Sequence, residues 1–260
     1  MSEDKKLEHS LNKYFETIDP VIFFNDYLGR LINVLKSNQT FRFTEENGSH
    51  IEALNFEAND ESREFINFLL KSLHAFNKTT EEDSTKLLEY ANSITGWITH
   101  KKKDIPSRII EIVENKDVLY QNYLARAKYL THEYPEEAYN SILLIPDLFL
   151  LFCFILESDE VDDDYKLEVS LALVYLVSPI DLLPENFINH PLSLLDDLFL
   201  MLGAYDRKEA KKVLAGNLSL NPDIIERTED TILKIEKEFG KNSIITIHEA
   251  VISVKEKSKN

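Results

Sequence analysis

The sequence has little cysteine, glycine, proline or positive charge, and each shortage excludes something. With one cysteine, Cys153, in 260 residues, no intramolecular disulfide can form. That fits a reducing, cytosolic compartment. Six glycines and eight prolines are few for this length, and strand-like alternation is scarce. Only Thr40–Thr44 alternates like a strand, and it has no clear partner. Lys and Arg number 29 against 46 Asp and Glu, a formal net charge of −17. Such a balance opposes non-specific binding to phosphate backbones and to anionic membrane surfaces. It favours solubility or a basic partner. The clear basic cluster, Lys101-Lys102-Lys103, precedes Asp104-Ile105-Pro106 and reads as a solvated helix end or linker. Met1-Ser-Glu-Asp-Lys-Lys6 lacks the apolar run of a signal peptide.

What is present is helical spacing. Hydrophobic residues make up 43% of the chain, enough to bury a sizeable core. The expectation is an all-α multi-helix bundle with a buried apolar helical hairpin in its C-terminal half. Residues 5–38 read as two helices broken at Asp19-Pro20. Asn59–Asn77 is amphipathic, and Thr80 with Asp83 resembles a capping box opening a helix that runs to about His100. Residues 107–133 read as one or two Tyr- and Leu-rich helices, stopped at Tyr134-Pro135. The composition then changes. This divides the chain into 1–135, an N-terminal helical region, and 136–260, the hairpin followed by two amphipathic helices.

Ser141–Leu156 is apolar nearly all round and ends in an acidic loop, Glu157–Asp164. A second apolar helix follows over Tyr165–Val177, then a third over Leu192–Leu202. A membrane span needs roughly 20 consecutive apolar residues. The first run is shorter and carries Pro146-Asp147, and the third carries Asp196 and Asp197. Buried core helices are therefore expected. The acidic loop departs from the EF-hand pattern, with Lys166 and Leu173 where calcium ligands would fall, and reads as a solvated loop at a helix N-terminus. Cys153, within Phe149–Phe154, reads as an inert core residue, and Trp97 as a core anchor. Tyr120, Tyr123, Tyr129, Tyr134 and Tyr139 form an aromatic band expected to pack between helices. Ala215-Gly216 marks a helix stop. Asn221-Pro222-Asp223 opens a helix that Gly240 closes, and a last helix covers Asn242–Lys257.

The densest information lies in Tyr175-Leu-Val-Ser178-Pro179-Ile180-Asp181-Leu-Leu-Pro184, followed by Leu194-Leu-Asp196-Asp197. Carboxylates rarely sit inside apolar sequence without a partner. Ser178-Pro179 stops a helix, and Asp181 can then accept free N–H groups at the start of the next turn. Asp196 and Asp197 lie about 100° apart on a helix, so one is expected to brace the turn and the other to be solvated.

These residues, from about 142 to 216, resemble the YkvA-like family, Domain of Unknown Function 1232. Its hallmark is Tyr-Leu-x-Ser-Pro-Ile-Asp-Leu-Ile-Pro, a short loop, then a helix opening with Asp-Asp. Glu185 keeps the family's acidic residue after the second proline. The loop Asn186–Pro191 departs from it by lacking glycine. The resemblance implies a compact helical hairpin, often in bacterial proteins and sometimes in membrane-associated ones, with no established reaction.

Two readings of the motif follow. In one, Ser178, Pro179, Asp181, Pro184, Glu185, Asp196 and Asp197 are structural. In the other, Asp181, Glu185, His190 and Asp197 converge on a divalent metal that activates water. No Glu-x-x-His pair of the di-iron type supports the second. Phosphate-binding loops, Gly-x-Ser-x-Gly elbows and Cys/His zinc sets are missing too. The expectation is a non-enzymatic interaction or regulatory protein of the bacterial cytosol, without cofactor, binding a protein partner or itself. The alternatives are a metal-dependent hydrolase and a peripheral membrane effector inserting the hairpin.

Overall fold

The computed structural model describes residues 105–135, 137–177 and 194–249, with residues 7, 9, 11, 12, 26, 27, 30 and 34. The helices expected over 59–100, the Thr40–Thr44 strand, Trp97, the lysine cluster and the stretch Ser178–Pro191 lie outside the described residues.

Among the described residues every regular element is helical. In order they are α1 (Ile105–Glu114), α2 (Lys116–Glu133), a 3-10 stretch (Glu137–Leu144), α3 (Ile145–Glu157), α4 (Asp163–Leu176), α5 (Leu195–Ala204), α6 (Arg207–Gly216) and α7 (Ile224–Phe239). Residues 243–249 are helical again. The all-α expectation holds.

The three apolar helices form the centre. In α4 all residues from Tyr165 to Leu176 are buried, and in α5 all ten are. Helix α3 buries ten of its thirteen residues. Helices α3, α4 and α5 pack on one another, which explains why their sequences are apolar on every side. Amphipathic helices enclose them. Helix α1 buries Ile105, Ile109, Ile112 and Val113, spaced for one face, against α3 and α4. Helix α7 buries Ile224, Ile235 and Phe239 along one side, with Phe239 edge-on to Phe199 of α5 at 5.1 Å.

Local chemistry sets the helix ends. Proline at 146 removes the N–H that would reach back to residue 142, so the run expected from Ser141 begins as a 3-10 stretch and becomes α-helical only at Ile145. Asp162 caps α4 by accepting from the Asp164 N–H at 2.8 Å, and Asp163 and Asp164 occupy its first turn. Asp206 caps α6, accepting from Lys208 and Glu209 N–H groups at 2.7 and 2.9 Å. Gly240, at φ +102°, ends α7 in a conformation that glycine adopts without strain.

Of the tyrosine band, Tyr120, Tyr123 and Tyr139 pack against the core, whereas Tyr129 is 46% exposed. Cys153 is fully buried, and burial pushes its thiol up, away from the reactive thiolate. By length and composition Tyr139–Glu157 could cross a membrane, and 67% of its most apolar window is buried inside the fold.

Candidate functional site

The motif segment is framed by the end of α4 and the start of α5. Where α4 stops, its last carbonyls need donors from elsewhere. Tyr123 of α2 donates to the Leu176 carbonyl at 3.2 Å, and Arg108 of α1 donates to the Val177 carbonyl at 3.0 Å. A guanidinium is also electrostatically favourable at a helix C-terminus.

Where α5 begins, Asp196 and Asp197 occupy the first turn, and each is 1% exposed. The expectation that one aspartate faces solvent is therefore corrected. Because α5 is enclosed on every side, residues 100° apart on it both point inward. Negative charge suits a helix N-terminus, and neither aspartate is without a partner. Asp196 Oδ2 accepts from the hydroxyl of Tyr175, the motif's first residue, at 2.8 Å. Tyr27, fully buried, stands edge-on to Tyr175 with ring centroids 5.3 Å apart. Its hydroxyl donates to the main-chain carbonyl of Asp196 at 2.5 Å. Two phenols thus hold one aspartate by its side chain and its backbone.

Of the residues singled out in the sequence, Asp196 and Asp197 are placed together in the core. Ser178, Pro179, Asp181, Pro184, Glu185 and His190 lie outside the described residues. Among the described residues no group of three or more His, Cys, Asp or Glu side chains is arranged to hold a metal ion.

Sequence reasoning missed several participants. Tyr27 and Arg108 lie far along the chain from the motif and carry no local signal. Asp147 did carry one, a carboxylate behind a proline in an apolar run. It pairs with Arg227 of α7 and accepts from Tyr120 of α2 at 3.3 Å. Arg227 also donates to the Leu143 carbonyl at 3.4 Å. Burial, then the charge of Asp147, raises the Tyr120 pKa. This ties α2, α3 and α7 at the opposite end of α3 from the acidic loop. A third missed feature is Gly203. A Cβ there would lie 2.6 Å from Ile247 Cγ2 and 3.3 Å from the His248 main-chain nitrogen. His248 Nδ1 sits 2.8 Å from the Gly203 carbonyl. The terminal helical residues therefore lie directly on α5.

Fold and site together define a class: an all-α protein built on an apolar helical hairpin with a buried aspartate pair. Residues 166–203 match the family model described as "Protein of unknown function (DUF1232)". That segment runs from the first turn of α4 to Gly203 and includes both aspartates and Tyr175. The chain is also similar to "Uncharacterized protein ORF9" of Methanothermobacter thermautotrophicus, 36% identical over 70 residues. The similarity covers 27% of this chain and 47% of that protein, so the chain spans about half the length of the curated relative it matches. No solved structure matches.

Proposed function

We propose that this chain is a non-enzymatic helical interaction or regulatory protein of the cytosol, acting on a protein partner or on a second copy of itself. The observation that carries this reading is the seating of Asp196. Its carboxylate is bound by Tyr175 and its carbonyl by Tyr27, all three residues at most 1% exposed. An aspartate held by one phenol at its side chain and another at its backbone, in a buried core, supports a brace that fixes the hairpin. The formal net charge of −17 supports a partner with a basic face.

The metal-hydrolase alternative makes a different demand on the same residues. Thermal unfolding of the wild type, Asp181→Asn and Asp197→Asn, with and without Mg²⁺, Mn²⁺, Ca²⁺ or Zn²⁺, separates the two. An ion that binds only the folded state must raise the midpoint. The interaction reading expects no ion to raise it and both variants to melt earlier. A wild-type rise that the variants abolish would replace this reading with a metal site. Peripheral membrane insertion draws support from the length and apolarity of Tyr139–Glu157. Co-sedimentation with liposomes, expected to fail, tests it.

A further inference from the structure

Helix α6 is a basic element in an acidic chain. Residues 207–212 read Arg207-Lys-Glu-Ala-Lys-Lys212, four cations in six positions, against a formal net charge of −17. Beside it lies the opposite sign. The loop Glu157–Asp164 carries six carboxylates in eight positions. Two hydrogen bonds fix the two segments as neighbours. Lys212 Nζ donates to the Glu160 carbonyl at 3.1 Å. The Asp206 N–H, at the head of α6, donates at 2.9 Å to the hydroxyl of Tyr165, the residue after the loop. Helix α6 also packs on α3, whose C-terminus opens into that loop.

Within one copy, part of this charge is spent and part is not. Arg207 pairs with Glu229 at 3.0 Å and Lys212 with Glu209 at 2.7 Å. Lys208 and Lys211 are exposed, and neither ammonium meets a carboxylate among the described residues. Glu160 and Asp164 are exposed as well, and neither carboxylate meets a cation among the described residues. Asp163, its side chain 68% exposed, lies 4.0 Å from Lys166. A positive patch beside a negative one is its own complement under a two-fold rotation, because each patch then meets its opposite on the other copy. Two copies at a net charge of −17 repel at long range. Salt screens that repulsion beyond about 8 Å at physiological ionic strength, while groups in contact still attract.

We propose that α6 and the acidic loop form one self-complementary docking face whose occupant is a second copy of this chain. Lys208 and Lys211 of each copy meet Glu160, Asp163 and Asp164 of the other. The proposal rests on the interaction reading and deepens it, since the partner with a basic face is then another copy's α6. Exposed ion pairs are individually weak, so the assembly belongs to the transient class.

The test is sedimentation equilibrium of the full-length protein over a concentration series, from low to high salt, with circular-dichroism melting as the folding control. Wild type is expected to dimerise weakly, and most strongly at intermediate salt. Low salt leaves the net repulsion unscreened, and high salt dissolves the pairs. Lys208→Glu with Lys211→Glu is expected to raise the dissociation constant at least about tenfold. Glu160→Lys with Asp164→Lys is expected to raise it too, although this change removes four units of net negative charge and so lowers the long-range repulsion. An equimolar mixture of the two double variants is expected to associate like wild type, since each supplies the patch the other lacks. The docking face is overturned if wild type stays monomeric up to about 1 mM at every salt concentration. It is overturned if the Glu160 and Asp164 reversal tightens association, which would leave net charge alone in control. A dimer that neither reversal weakens, or a mixture that does not recover, sinks it as well. Should a reversal not fold, Lys208→Gln with Lys211→Gln decides, and an unchanged dissociation constant overturns the face. The melting experiment with metal ions does not involve α6, so the docking face and the interaction reading can fail separately.

Discussion

Tyr175 donates to Asp196 across 21 positions of sequence, and both side chains are 1% exposed. The bond joins the last turn of α4 to the first turn of α5. It closes the hairpin at the point where the intervening motif segment leaves and returns. Tyr123 and Arg108 secure the α4 side of the same gap. The motif's tyrosine and aspartate therefore specify one closure between two helices.

Replacing Tyr175 with phenylalanine removes the donor and leaves a buried carboxylate oxygen behind. Removing one partner of a buried hydrogen bond costs about 1–3 kcal/mol. Tyr175→Phe should therefore lower the urea unfolding free energy by about that amount with little change in m-value. Tyr123→Phe, which loses a longer bond from a partly buried tyrosine, should cost less, about 1 kcal/mol. Equal losses in the two variants would mean that the Asp196 bond does not close the hairpin.

Much of this fold was legible in the sequence, because apolar period and helix-end chemistry act locally. The three apolar runs became α3, α4 and α5, and Gly240 closed α7. The acidic loop supplied the cap Asp162. What stayed hidden depends on distance along the chain. Helical angle alone suggested that one of Asp196 and Asp197 faces water, and only the enclosure of α5 on all sides buries both. Arg227 reaches Asp147 over 80 positions, and Tyr27 reaches Asp196 over 169. No periodicity encodes such pairings. The close approach at Gly203 was equally unreadable, since a glycine in a helix looks only like a weakness until a neighbour is seen against it.

That approach gives a paired prediction of opposite signs. At Gly203 an added methyl meets Ile247 and the main chain of His248. Overpacking of this kind costs about 1–3 kcal/mol, which exceeds the gain of up to about 1 kcal/mol from helix propensity. At Gly216, the last residue of α6, nothing lies within 4 Å of the same atom. Gly203→Ala should lower the melting midpoint, and Gly216→Ala should leave it level or raise it by a few degrees. A Gly203→Ala protein as stable as wild type would show that the terminal helical residues do not rest on α5 in solution.

Alkaline pH probes a different buried group. The Tyr205 hydroxyl oxygen is buried and has no hydrogen-bond partner among the described residues. Burial, then the charge of Glu229, pushes its pKa up to about 12. An unfolded tyrosine ionises near pH 10, so between about 10 and about 12 the native state holds a proton that the unfolded chain has released. The contribution of Tyr205 to stability is fully present below about pH 10 and is lost as pH rises through the native pKa. Urea midpoints taken from pH 8 to pH 12 should fall across that window, and part of the fall should be missing in Tyr205→Phe. At pH 7 the same variant removes a buried hydroxyl that has no partner among the described residues, so its midpoint should equal or exceed that of wild type. A Tyr205→Phe protein that is less stable at pH 7, or that keeps the full alkaline slope, would show that the hydroxyl has a partner in solution and ionises elsewhere in the range.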